Sequence, residues 1–152
     1  FDEQDAATLA EKLVALQTPL DVTVSRRTPR AASELLRSIL GDFASRFFDP
    51  ERSETPNPYP AMLATARAIL VTEDSVNMAA EAASTGKPVY ILPLRRKPFA
   101  HARKFDAFHE GLRARNAARL FRGAIESWSY EPLDETGRAA DAVLSRWKAR
   151  DR

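Results

Sequence analysis

Apolar residues recur along this chain in two alternating rhythms. Ala6, Leu9, Leu13 and Leu16 are spaced by three and four, one face of a 3.6-residue period, and predict a helix from Asp5 to Leu16 that Pro19 stops. DVTVSR, residues 21–26, is short and β-branched and predicts a strand. Ala32, Leu35, Leu36 and Ile39 predict a helix from Ala31 to Leu40, opened by Thr28-Pro29, where a missing N–H costs nothing. Segment 41–49, with Phe43, Phe47 and Phe48, fits either a continued helix or a short strand ending at Asp49-Pro50. Residues 50–60 hold four prolines and predict a loop. Pro60 opens a short helix reaching Arg67.

AILVT, residues 68–72, predicts a buried strand. Ser75 to Thr85 predicts a helix closed by Gly86, and VYIL, between Pro88 and Pro93, a second buried strand. His101 to Leu112 reads as a helix carrying Phe105, Phe108 and Leu112 on one side, with Gly111 weakening its last turn. Residues 120–133 are irregular and aromatic. A last helix runs from Glu135 to Arg150, its apolar face made by Ala139, Ala140, Val143, Leu144 and Trp147. Phe105, Phe108, Trp128, Tyr130 and Trp147 are expected to fill the core.

This alternation of helices and strands is that of a doubly wound α/β fold, a Rossmann-like three-layer α/β/α domain with a mostly parallel sheet. Three strands are readable, fewer than such a sheet usually has. A first strand is therefore expected just upstream of Phe1, with residues 3–16 as the first crossover helix and residues 1–152 as one domain of a longer two-domain protein. No internal repeat is visible.

Composition narrows the chemistry. The 152 residues suit one domain with a full core. The 23 basic residues against 21 acidic ones leave a net charge of +2, no electrostatic case for a nucleic-acid partner. The absence of cysteine removes disulfides and thiolate sites, and two histidines leave little room for a histidine-rich metal site, so neither metal nor resident cofactor is expected. No apolar run approaches a membrane span and no signal peptide is visible, so the expected location is cytoplasmic.

Ligands of open parallel sheets bind beyond the carboxyl ends of the strands. Three segments fall there: Ser25, Arg26, Arg27 and Thr28 after DVTV; Thr72, Glu73, Asp74, Ser75, Val76, Asn77 and Met78 after AILV; and Leu94 with the basic turn Arg95, Arg96 and Lys97 after VYIL. The loop holding Asn57 and Tyr59 is expected nearby. In the second segment, Asp74 or Ser75 caps a helix whose first N–H groups form an anion pocket helped by the helix dipole. Ser75 and Asn77 add side-chain donors. Glu81, two turns in, suits a sugar or ribose hydroxyl pair. Arg26 and Arg27 suit a diphosphate clamp. Each has an ordinary structural reading beside it: plain cap, solvated arginine, exposed glutamate, simple turn. His101 and His109 read as helix histidines without chemistry. No GxGxxG, P-loop or nucleophile elbow is present, which disfavours a dinucleotide or ATP-hydrolysing site.

SRRTP at 25–29, NPY at 57–59, VTEDSVNMAAEAASTGKPVYILPL at 71–94, KFDAFHEGL at 104–112 and WSYEPLDET at 128–136 resemble, in order, the bacterial relatives of the plant mitochondrial-fission factor of the elongated-mitochondria type. That family resembles the GT-B glycosyltransferases in fold, and the chain is similar to their C-terminal, nucleotide-sugar-binding half. The resemblance implies a donor diphosphate at the TEDSVNM turn, a ribose near Glu81, and a cleft lined by Ser25, Arg26, Arg27, Thr28, Asn57, Tyr59, Leu94, Phe105 and His109. It implies as partners a nucleotide sugar or nucleoside diphosphate, an N-terminal Rossmann-like half, a peripheral membrane or lipid-linked acceptor, and a protein partner.

Two further activities stand beside this one. A non-catalytic adaptor would keep the fold and lose turnover. A nucleoside-diphosphate-sugar epimerase is disfavoured, because neither a nicotinamide fingerprint nor a Tyr-x-x-x-Lys pair is present.

Overall fold

A computed structural model of the chain describes residues 1–95 and 102–150. Arg96, Lys97 and His101 lie outside the described residues. The elements run α1 (Glu3–Val14), β1 (Leu20–Thr23), α2 (Arg30–Leu40), a 3₁₀ turn (Gly41–Phe43), β2 (Ala44–Phe48), α3 (Tyr59–Thr65), β3 (Ile69–Thr72), α4 (Val76–Ala83), β4 (Val89–Leu92), α5 (Ala102–Ala114), β5 (Ala118–Leu120) and α6 (Glu135–Arg150). This is a mixed α/β fold of the Rossmann-like kind, with parallel strands joined by helical crossovers.

The strands form two sheets. β1 pairs with β2, and β3, β4 and β5 pair in that order, every pair parallel. Ile69 stands opposite Val89 and Thr72 opposite Leu92. β4 is central in its sheet and all four of its residues are buried, which is why VYIL reads as one apolar run rather than an alternation. Its residues divide by parity. Val89 and Ile91 face Ala79, Ala82, Ala83 and Leu112 of α4 and α5, whereas Tyr90 and Leu92 face Leu9 of α1 and Phe121. Helices thus cover both faces, as double winding requires.

α1 belongs to two cores. Ala6 and Ala10, fully buried, meet Ala32, Leu36 and Leu40 of α2; small side chains at 6, 10 and 32 let the helices approach closely. Leu9 enters the other core with Tyr90 and Leu92. A capping box sets the start of α1: Asp5 N–H donates to Asp2 at 3.0 Å and Asp2 N–H to Asp5 at 3.1 Å.

Several expectations are corrected. The ambiguous segment 41–49 is a 3₁₀ turn followed by β2, because Gly41, at φ +38°, ends α2. A fifth strand, β5, precedes the irregular segment, and its three residues were too few to show a period. α5 passes through Gly111 and ends before Asn116, at φ 54°. α4 stops at Ala83, and Gly86 takes the left-handed turn beyond it. Phe105 and Trp147 are 41% and 62% exposed rather than core filler, and the apolar face of α6 is open to solvent at Val143 and Leu144.

Candidate functional site

All strands within each sheet run the same way, so the loops after β3, β4 and β5 share one edge. α1 begins at that edge. Arg95, after β4, reaches Asp2 at 2.6 Å and Asp5 at 3.1 Å, and also hydrogen-bonds Gln4. The amino group of Phe1 stands 3.6 Å from Asp74, after β3. Asp2 holds the Arg95 guanidinium above its ordinary pKa, and Asp5 adds to the effect.

The start of α4 lies at this edge and carries no side-chain cap. Ser75 occupies the N-cap position, but its side chain makes no capping bond, which corrects the expected Ser or Asp cap. Ser75 N–H donates to Thr72 O and Ala79 N–H to Ser75 O, both at 3.0 Å. The intervening N–H groups of Val76, Asn77 and Met78 fall in the first turn, where an α-helix has no internal acceptors. Asp74 and Asn77 are exposed, and Thr72, Ser75, Val76 and Met78 half-buried.

The segment after β1 closes on itself. Thr28 N–H donates to Ser25 O at 2.9 Å, Ser25 N–H to the Thr28 hydroxyl at 3.1 Å, and Arg27 N–H to Ser25 Oγ at 3.1 Å. This hydroxyl-closed turn holds the exposed Arg26 and Arg27 apart from its own bonding. No hydrogen bond or ion pair among the described residues joins either arginine to the turn after β3.

Two other pairs do come together. The Tyr59 hydroxyl is buried, makes no hydrogen bond of good geometry among the described residues and lies against Glu81; burial first, and the Glu81 carboxylate second, raise the phenol pKa above its ordinary value. Asn57 accepts from Tyr59 N–H at 3.0 Å, a local turn opening α3. Leu94 and His109 converge on Glu73. Leu94 N–H donates to the Glu73 carboxylate at 2.9 Å, and His109 Nε2 lies 2.7 Å from the Glu73 carbonyl oxygen. A carbonyl only accepts, so Nε2 donates this bond, and Nδ1 is buried with no hydrogen-bond partner among the described residues.

Beside this node lies an open cavity of about 550 Å³ lined by Glu73, Pro93, Leu94, Asp106, Ala107, Glu110, Arg113 and Leu120. Arg113 is engaged by Glu110. The cavity offers carboxylate acceptors suited to hydroxyl groups, while the α4 start offers donors suited to an anion. No group of residues fit to hold a metal ion occurs among the described residues.

Sequence reading singled out Leu94 but not Asp106, Glu110 and Arg113, because α5 presents one turn of its polar face here and that face looks like any solvated helix surface. It also passed over Glu73 as a structural node. Asp49 was missed as well: it is buried after β2, accepts from the Ser33 hydroxyl at 2.6 Å and from Glu51 N–H at 3.0 Å. An acid directly before a proline at a strand end was the signal for it. Phe105 is not among the residues that line the cavity.

The family model described as Mitochondrial fission ELM1 matches residues 1–147. Over 132 residues the chain is 37% identical to the Mitochondrial fission protein ELM1 of Arabidopsis thaliana, covering 85% of this chain and 30% of that protein. Over 142 residues it is 34% identical to the Uncharacterized protein RP120 of Rickettsia prowazekii (strain Madrid E), covering 90% and 39% respectively. The chain thus spans between three and four tenths of the length of these relatives. No solved structure matches it.

Proposed function

We propose a function from the premise that this chain belongs to the mitochondrial fission ELM1 family: the start of α4 binds the diphosphate of a nucleotide sugar, within a GT-B-like glycosyltransferase of which these residues are the donor-binding half. The observation that carries the reading is the uncapped first turn of α4, directly after a parallel strand at the ligand-binding edge of the sheet. Its N–H groups and the positive end of its dipole suit a phosphate group. The carboxylates of Glu73 and Glu110 in the neighbouring cavity suit the sugar or ribose hydroxyls, and Arg26 and Arg27 are free to close on the phosphate side.

Calorimetric titration of the full-length protein with UDP, GDP and their sugars tests this. Val76→Pro deletes one donor at a position where proline is tolerated. It is expected to weaken binding with an unchanged melting temperature. Absence of binding by every nucleotide at millimolar concentration would overturn the reading.

A second reading has its own observation. α6 exposes Val143, Leu144 and Trp147 along one face, and a relative is named a mitochondrial fission protein. A non-catalytic adaptor would use such a face for a protein partner. Turnover of a labelled nucleotide sugar by the full-length protein would exclude it.

A further inference from the structure

We propose that α6 pairs with α6 of a second copy of this chain, antiparallel across a twofold axis that passes beside Val143 and Leu144. The inference does not involve the α4 start and stands whether or not α4 binds a nucleotide. The face that an adaptor would offer to another protein is then closed by the second copy.

The first observation is the isolation of the helix. Asp134 caps it, accepting from Gly137 N–H at 2.8 Å, and Arg115 holds Glu135 at 2.9 Å. Past this first turn every residue from Arg138 to Ala149 is exposed. A helix of 16 residues is marginal in water unless one of its faces packs. α6 has such a face. Ala140, Val143, Leu144 and Trp147 recur at three and four residues and make one stripe, yet Val143 and Trp147 are 66% and 62% exposed. On α2 a stripe of the same spacing buries Ala32, Leu36 and Leu40.

The second is a set of charges that α6 does not pair by itself. On α2 and α5, Arg30 meets Glu34 and Arg113 meets Glu110 one turn away. Asp141, Arg146 and Lys148 take part in no hydrogen bond or ion pair among the described residues. Asp141 and Lys148 are seven residues apart, which puts them on one flank of the stripe and about 10.5 Å apart along the axis. Ion pairs within a helix join residues three or four apart, so these two need partners outside it.

The third is that the stripe complements itself when reversed. Ala140 and Trp147 lie on its centre line, on either side of Val143 and Leu144. Antiparallel pairing about that midpoint sets the Trp147 indole over Ala140 of the second copy, a large side chain on a small one. Val143 and Leu144 fill the middle. Lys148 comes alongside Asp141 of the second copy, and the symmetry of an isologous contact makes that pair twice. Arg146 stays on the other flank, in solvent. Parallel pairing would set Trp147 on Trp147 and Asp141 beside Asp141, so size and charge both select the antiparallel arrangement. A second copy is favoured over an unrelated protein because the complement to this face is already present in the same helix.

Sedimentation and light scattering on the full-length protein test the proposal. A dimer is expected at micromolar concentration, and Leu144→Glu, at an exposed position, is expected to give a folded monomer. Asp141→Lys and Lys148→Asp should each weaken dimerisation about tenfold, and the double variant, which exchanges the two charges, should recover it. That recovery separates the antiparallel pair from unspecific association of an apolar face. A wild-type monomer at every concentration would overturn the proposal, as would a dimer that survives Leu144→Glu or a double variant no better than the single ones. A monomer in which Trp147 is shielded from an added quencher would assign the face to another part of the protein and overturn it equally.

Discussion

His109 Nε2 lies 2.7 Å from the carbonyl oxygen of Glu73, which ties α5 to the turn that leads into α4. His109 is only 5% exposed, so removing it opens a cavity and leaves a carbonyl without its donor. His109→Ala is expected to lower stability by about 2–3 kcal/mol in urea denaturation. Nitrogen chemical shifts should report the Nε2-protonated tautomer in the native protein; the Nδ1-protonated tautomer would contradict the assignment.

Asp5 serves α1 twice, as the third residue of the capping box and as an acceptor for Arg95. Its side chain is almost fully buried. Asp5→Ala is expected to cost about 2 kcal/mol, more than an ordinary exposed cap. Asp5→Asn keeps an acceptor and should cost less. Thermal denaturation of the two variants checks the order.

The Tyr130 hydroxyl lies 2.8 Å from Lys87 O and 3.1 Å from Ala83 O, two carbonyls that share its single proton, and burial pushes its phenol pKa up to about 12. The folded state holds this proton more tightly than the unfolded chain, whose tyrosines titrate near ~10. The stabilisation is therefore complete below that pH and falls as pH rises toward 12. Tyr59 shifts in the same direction. Tyr130→Phe should cost about 1 kcal/mol at neutral pH and flatten the alkaline loss of stability, measured by denaturant midpoints across that range.

Gly86 sits at φ +73°, and a Cβ there would meet Pro132 Cγ at 3.0 Å. Backbone and neighbour both oppose a side chain. Gly86→Ala is expected to destabilise by about 1–2 kcal/mol, seen as a lower denaturation midpoint. Gly111 is helical with nothing within 4 Å of its added Cβ, and Gly111→Ala should stabilise by a few tenths of a kcal/mol or more.

The long periodic segments were legible before any coordinates. α1, α2, α4 and α6 lie within about two residues of their expected spans, and β3 and β4 were readable because four apolar residues in a row between turn signals admit few other readings. β2 and β5 were not. The first has two exposed residues of five and the second has three residues in all, so neither carries a period. The turn between β3 and α4 was legible as strand, turn and helix. The open cap was not, since Ser75 is a good capping residue whose side chain here makes no such bond.

The sequence alone determined which of the long periodic segments become helices or strands and that the strands pair in parallel, because those follow from local period and the crossover rule. Tertiary structure decided the rest. It joined Leu94 and His109 at Glu73 across 21 and 36 residues of chain and set Tyr59 against Glu81. It left Arg26 and Arg27 apart from the α4 start, and left the apolar face of α6 uncovered. The physical reason is the same in each case: a polar side chain's partner is whatever packing brings within hydrogen-bond reach, and spacing along the chain carries no record of it.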